Sequence, residues 1–586
     1  MTTGSPVPLR PALAIAAAAA PSLLAYNVPP SPTFLNQALA VALWGWFVIV
    51  CEPFSGAGGR GPQALLGTFA ILLAAVCWSW GPGTLPTGLA LSALGLLLAA
   101  AVLAAGGAAA QSRDDAERAF GDFCLGWAVA GAFNVAIALV QVFAPDWADG
   151  DWIAHSSYPG RAVGNMRQPN HLSSLLMWST IATVTLAELG RLRRRVAVPL
   201  AVACVFGVVL TASRTGLVSV LGLAVWALLD RRLSRPTRVL LLATPLVYAA
   251  TWAGMAEWAR LSDHAFGGTA RLAESDISSS RFAIWNNTLA MIRQQPWAGT
   301  GFGEFNFAWT LTPFPGRPVA FFDHAHNLPL QLAAELGVPA ALVIMALLLG
   351  ALAAGFRLAR RSEGAPSLAR RSALVMVLMI GLHSLLEYPL WYAYFLLPAS
   401  WALAYATAES PWASLRTPSR TLPAAALALV AGAVLSVFDY QRVTAIFSAE
   451  PGTPPLEQRI AAGRRSVLFA HHAAYAAATT SVGGNSLAPF GIATHYLLDT
   501  RLMMAWAKAL AAHGEVEQAR AVAARLREFR NPNAEEFFEP CEPGAAASAP
   551  EGEAASSPEA AEAAASAPLQ CEAPQRVHDW REFATP

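Results

Sequence analysis

Long apolar runs recur along this chain, and they dictate its architecture. A membrane-crossing helix needs about 20 mostly apolar residues. Candidates stand near 11–27, 34–50, 62–80, 86–109, 119–143, 170–189, 196–212, 215–229, 237–256, 328–356, 369–386, 389–408 and 421–438. The pair 196–212 and 215–229 is short and also reads as one broken hairpin. Charge is scarce between the runs: 13% of the 586 residues are charged, against about 25% in an ordinary soluble domain. A soluble chain of this length would divide into several domains, each with a polar surface. There is too little charge here to build those surfaces. The expected fold is an all-α polytopic membrane protein with about 13 transmembrane helices, a long periplasmic loop and a small helical C-terminal domain.

Basic residues concentrate in cytoplasmic loops. With the N-terminus inside, nineteen Arg fall on inside loops, in clusters such as Arg191, Arg193, Arg194, Arg195 and Arg357, Arg360, Arg361. Eight fall outside before residue 439, five of them in one long loop. The expected topology is an inner-membrane protein with a cytoplasmic N-terminus and a periplasmic C-terminus. Arg10 and the Ala-rich run after it resemble a signal peptide, but the charge alternation favours a retained first helix. Residues 1–438 then form the transmembrane domain, with exported loops 144–169 and 257–327. Loops as long as the second are uncommon without a function.

Beyond the last run, 439–540 reads as a periplasmic helical domain. Trp506–Gly514 followed by Glu515–Ala519 resembles half of a tetratricopeptide-like hairpin, or equally a generic helical cap. Residues 541–586 are mostly Ala, Pro, Ser and Glu, which cannot build a core, so this tail is expected to be disordered. Cys541 and Cys571 lie in the tail on the oxidising side, where a disulfide is open to them. Cys51, Cys77, Cys124 and Cys204 accompany apolar segments, and no cysteine shows metal-site spacing. Lys508 is the single lysine among 39 basic residues, and no basic tract points to nucleic acid.

The unusual polar residues gather at the outer membrane face. Arg167-Gln168-Pro169-Asn170-His171 opens the sixth run, with Pro169 suited to a first helical turn. Arg214 sits at the bilayer edge, where a guanidinium either snorkels to headgroups or grips a lipid-linked phosphate as a bidentate fork. Ser280 or a neighbour is expected to cap a helix carrying Arg281 in its first turn. A cation is disfavoured there by the dipole, and a shared anion would resolve the conflict. Phe282, Trp285, Leu289 and Ile292 fall at helical spacing, as if that helix lay in the interface. Gly299-Thr-Gly-Phe-Gly303 superficially resembles a dinucleotide loop, but no strand precedes it, so a glycine turn is the better account. Asp323-His324-Ala-His326-Asn327 stands where the long loop re-enters the membrane. It is short of metal ligands and offers a histidine able to move a proton near neutral pH. Glu387-Tyr388-Pro-Leu-Trp391-Tyr392-Ala-Tyr394 combines an aromatic belt with a carboxylate, and His383 lies just before it.

The Arg281…Trp285…Pro296…Gly299…Gly301…His326-Asn327…Glu335…Gly337 pattern resembles the O-antigen ligase / Wzy polymerase superfamily. Gln168-Pro-Asn-His171, the His326–Gly337 run and Glu387-Tyr-Pro-Leu-Trp-Tyr-Ala-Tyr-Phe resemble its PglL-type bacterial protein O-oligosaccharyltransferases, over most of 120–540. The resemblance implies en bloc transfer of a glycan from undecaprenyl pyrophosphate to Ser or Thr hydroxyls of a periplasmic protein such as pilin. No cofactor or bound metal is implied. The alternatives are an O-antigen ligase or repeat-unit polymerase and, from another class, a transporter or lipid flippase. Inverted repeats or mid-membrane charge would mark a transporter. A pyrophosphate leaving group calls for cations: Arg214 and Arg281, with Arg167 third. His326 is the expected catalytic base. Gln168, Asn170, His171, His324, Asn327, Glu387, Tyr388 and Tyr392 are the expected supporting residues.

Overall fold

A computed structural model describes residues 9–51, 60–61, 63–273, 277–408, 415–416, 420–449, 451–484, 486–542 and 568–584. The described residues are mainly helical, and the strands among them are a two-residue pairing of Arg60–Gly61 with Leu415–Arg416. A helix stands at each of the thirteen apolar runs. Nine among the described residues are long and apolar enough to cross a membrane, so length and composition do not establish the count of thirteen. Leu9–Leu23 and Arg214–Leu229 are shorter, and Ala393–Thr407 has 15 residues. Pro169–Glu188 is long enough but carries six buried hydroxyl side chains, Ser173, Ser174, Ser179, Thr180, Thr183 and Thr185. The short pair resolves as two helices, Arg194–Thr211 and Arg214–Leu229, with Ala212 in the left-handed region between them.

Small residues let these helices approach closely. A Cβ on Gly126 would stand 2.3 Å from the carbonyl oxygen of Ala14. That contact seats Leu9–Leu23 against Ala116–Phe143 as part of the bundle. Aromatic rings fill the wider gaps, with Phe123 on Trp401 at 4.7 Å and Trp127 on Trp178 at 4.7 Å. The Arg-rich loops meet at one end: Arg10 pairs with Asp122 at 2.7 Å, Arg191 reaches the same carboxylate, and Arg371 pairs with Asp230. Arg10, Arg191 and Arg371, one from each of three such loops, are thus tied to carboxylates rather than left to repel.

The chain continues from Thr421–Phe447 into a helical region in which Thr500–Ala512 and Val516–Glu528 form one antiparallel hairpin. It docks on residues 305–322 through a buried cation: Arg317 lies over Trp309 and Phe529, at 4.8 and 4.5 Å, and pairs with Glu528 at 3.2 Å. The tail departs from the expected disorder. Residues 568–584 fold back onto the hairpin, joined by a Cys541–Cys571 disulfide and an Arg520–Glu572 ion pair. Phe583 packs on Trp506, and an Asp579–Glu582 capping box holds the last turn. The Ala/Pro/Ser/Glu composition of this tail masked Trp580 and Phe583, which supply its core contacts. The rest of the expected disordered stretch, 543–567, lies outside the described residues.

Candidate active site

Three helices begin at the opposite end from the arginine clusters, and each begins in the same way. Arg167, Ala212 and His326 have φ of +56°, +49° and +52°. Each is followed by a capping side chain: Gln168 accepts from the N–H of Asn170 and His171, Ser213 from Gly216, and Asn327 from Leu330. The left-handed residue turns the chain sharply, and the cap satisfies the donors that a helix start leaves free. A non-glycine residue in that region costs about 1–3 kcal/mol and tends to occur at functional sites. The starts meet through side chains, so three positive dipole ends are brought to one place.

Glu387 joins them. Its Oε1 accepts from the Arg281 guanidinium and, at 3.1 Å, from Asn170 Nδ2. Its Oε2 lies 2.8 Å from His326 Nδ1. Burial pushes this carboxyl up, but the hydrogen bond and charge of His326 and the charge of Arg281 outweigh it, holding the group down at about 2. An ionised Glu387 can only accept, so His326 presents its Nδ1 hydrogen to it, and whenever the ring is neutral Nε2 is the acceptor. A carboxylate that fixes the tautomer of an adjacent imidazole is the arrangement of a general base. Glu387 therefore serves Arg281 and His326 together, and it is the anion that settles Arg281 near its helix start.

Tyr388 distinguishes itself among the three tyrosines. Its ring stacks on His324 at 4.3 Å and meets His326 edge-on at 5.0 Å. Burial, with Asp323 adding to it, raises its hydroxyl, so this group keeps its proton. Tyr392 packs instead on His171 at 4.4 Å, and Tyr394 hydrogen-bonds His171 Nδ1 at 2.9 Å. His383 bonds Ser174 at 2.8 Å. These form a polar layer beneath Glu387. Asp323, its side chain 51% exposed, lies 3.0 Å from His324 Nδ1, and His324 with His326 holds its carboxyl down at about 2. Among the described residues there is no cluster of three His, Cys, Asp or Glu suited to a metal.

The remaining expected residues divide. Arg214 is exposed at the first position of its helix, next to Ser213, and forms no ion pair among the described residues. Arg167 is occupied elsewhere, donating to the carbonyls of Ala25 at 2.7 Å and Pro32 at 3.4 Å. Asn327 reaches Leu385 O at 3.1 Å, fastening the His326 turn to the segment that carries Glu387. The Arg281 helix begins at Ile277, so Ser280 lies inside its first turn rather than capping it. Its expected interfacial face is also split. Phe282 and Leu289 are exposed, while Trp285 and Ile292 pack inward with buried Ile284 and Met291. The hydrophobic stripe was wider than one face, and the loop and hairpin took half of it. Trp285 Nε1 bonds Ala325 O at 3.0 Å, which ties Arg281 and His326 to one scaffold.

The glycine segment is a turn, as its sequence reads. Gly299 and Gly301 have φ of +68° and +104°, and the N–H of Thr300 and Gly301 bond the carbonyls of Ala334 and Glu335 at 2.9 Å. Leu328–Arg361 breaks opposite, at Gly337 with φ +78°, where a Cβ would stand 2.2 Å from Trp297 O. Sequence reasoning missed the Asn170–Ser213 contact at 2.6 Å, the His383–Ser174 bond and a second pair, Glu304 with His495 at 2.7 Å. The capping preference of Ser213 and Asn327 was a readable signal; pairings across hundreds of residues were not.

Apolar helices closing over a partly buried arginine–carboxylate–histidine cluster at one end define a polytopic membrane protein with a polar site among its helix ends. Family comparison then matches residues 162–187 to a protein glycosylation ligase, 199–345 to O-antigen ligase, and 372–537 to the C-terminal part of a virulence factor membrane-bound polymerase. The Gln168 turn, the Arg281 and His326 segments, and Glu387 fall in these three stretches respectively. The chain is 28% identical over 264 residues to the general O-oligosaccharyltransferase of Acinetobacter baylyi, covering 43% of this chain and 45% of that protein. It is 27% identical over 293 residues to the ComP-specific O-oligosaccharyltransferase of the same organism, covering 48% of each. The match spans about half the length of these relatives. The resemblance to PglL-type O-oligosaccharyltransferases within the O-antigen ligase superfamily is borne out by the family matches and by both relatives.

Proposed function

We propose that this protein is a glycosyltransferase that moves an oligosaccharide en bloc from undecaprenyl pyrophosphate to Ser or Thr hydroxyls of periplasmic proteins such as pilin. The observation that carries this reading is Glu387, which holds a cation and a proton acceptor side by side. His326 Nε2 takes the proton of the acceptor hydroxyl. The hydroxyl oxygen bonds the anomeric carbon of the glycan as the bond from that carbon to the pyrophosphate breaks. Arg281 and Arg214 meet the charge on the departing pyrophosphate, the kind of stabilisation that dominates such steps. No metal is given a part in this reading, so a chelator is expected to leave the rate unchanged. The excess of arginine at the other end supports a cytoplasmic assignment for that end. The site then faces the periplasm from the inner membrane, and the C-terminal hairpin lies beside it.

A second reading rests on the matched O-antigen ligase and polymerase segments: the same donor and site with a lipid A core or a growing glycan as acceptor. Expression with a lipid-linked glycan pathway and a candidate pilin separates them. The pilin is expected to gain the glycan mass by mass spectrometry. Glycan confined to lipid A core would overturn the protein-acceptor reading.

A further inference from the structure

Arg214 lies on a different helix from the Glu387 cluster, yet the two are not independent. Ser213 Oγ donates to Asn170 Oδ1 at 2.6 Å, and Asn170 Nδ2 donates to Glu387 Oε1 at 3.1 Å. Asn170 is the side chain suited to this place, because its amide accepts at one end and donates at the other. A carboxylate there would offer no donor to Glu387. Ser213 is 1% exposed and also accepts from Gly216 N at 3.0 Å, so the same oxygen fixes the helix start that bears Arg214. Ser173 Oγ, on the Asn170 helix, donates to Asn170 O at 2.9 Å and lies 3.2 Å from Ser213 Oγ. The left-handed turn at Ala212 is also held from the other side, where Arg161 Nε donates to Thr211 O at 3.0 Å.

We propose that Ser213 and Asn170 are positioning residues that lock the Arg214 helix start to the Glu387–Arg281–His326 cluster, setting the spacing between the two cations that receive the donor pyrophosphate. The proposal rests on the transferase reading above. It assigns Asn170 and Ser213 no contact with substrate. Their part is to keep the cation of one helix in register with the base and cation of two others. Bonded neighbours in one network are expected to respond non-additively to substitution.

The test is steady-state transfer by the full-length protein in membranes, with the lipid-linked glycan varied against a fixed acceptor. Ser213→Gly is the informative variant. Glycine is tolerated at a helix start nearly as well as serine, so the change removes the side-chain link at little cost to the helix itself. It is expected to raise KM for the donor about five- to tenfold with kcat within about twofold. Asn170→Ala is expected to raise KM by the same factor and to lower kcat, because Glu387 also loses a donor. The double variant is expected to match Asn170→Ala alone. A Ser213→Gly protein with wild-type KM, or fully multiplicative effects in the double variant, overturns the coupling while wild-type transfer upholds the transferase reading. A wild-type protein that transfers no glycan to any acceptor overturns both.

Discussion

Among the described residues, two carboxylate–imidazole pairs share nearly the same geometry. His326 Nδ1 lies 2.8 Å from Glu387, and His495 Nδ1 lies 2.7 Å from Glu304. Their surroundings differ. Glu387 also receives Arg281 and Asn170, and the His326 side chain keeps 15% of its surface open. Both partners of the second pair are 4% exposed, Thr84 completes Glu304 at 2.8 Å, and Phe307 covers the His495 ring at 4.3 Å. The second pair joins the loop before Thr87–Gln111, the segment at Glu304 and the C-terminal region. A histidine held by a carboxylate is therefore no evidence of chemistry by itself. Partial exposure of the ring and an adjacent cation distinguish the pair proposed to react from the clip.

The largest effect expected from breaking this comparison is His326→Ala, which should abolish transfer, a loss of at least about 10³-fold, while the protein still inserts. Mass spectrometry of the acceptor and membrane level measured together check this; near-wild-type transfer removes His326 from the mechanism. Glu387→Gln comes next, at about 10²–10³-fold in kcat, because a neutral amide no longer fixes the imidazole tautomer or balances Arg281. For Arg281 the charge is the claim. Arg281→Lys should retain about tenfold more activity than Arg281→Ala, and equal rates for the two would assign Arg281 to packing.

Glu387 also sharpens the comparison through pH. Its folded value, about 2, lies below its ordinary 4.5. A depressed acid contributes stability that is present above its unfolded value and lost as pH falls through the folded one. The melting temperature in detergent is therefore expected to decline between pH 5 and pH 3. Glu387→Gln should make that decline shallower, and an unchanged slope would show that this carboxylate gains nothing from its neighbours.

Much of this division was readable in the sequence. The apolar runs located the helices, and the short motifs at Gln168, Arg281, His326 and Glu387 named the residues that the fold brings together. Local signals sufficed there because caps, helix starts and ionisable groups near apolar runs are visible one at a time. What stayed hidden was pairing. Arg167 read as a donor-binding cation, yet it is taken up by carbonyls more than 130 residues away in sequence. Arg317 read as one more arginine of a long loop, and it anchors the hairpin because Phe529 and Glu528 arrive from far along the chain. Left-handed backbone at Arg167, Ala212 and His326 was equally invisible, since none of these is glycine.

The smallest catalytic effect belongs to the buried pair, and it carries the sharpest contrast. His495→Ala leaves Glu304 with Thr84 alone in a site closed to water. A buried polar group stripped of a partner costs about 1–3 kcal/mol. The variant is expected to melt earlier and to be cleaved more readily between the bundle and the hairpin in limited proteolysis. Its rate per folded molecule should stay within about twofold. His326→Ala is expected to show the reverse pattern, with the melting temperature little changed and transfer lost. If His495→Ala instead lost transfer at an unchanged melting temperature, the two pairs would be alike in kind, and exposure would no longer separate a base from a clip.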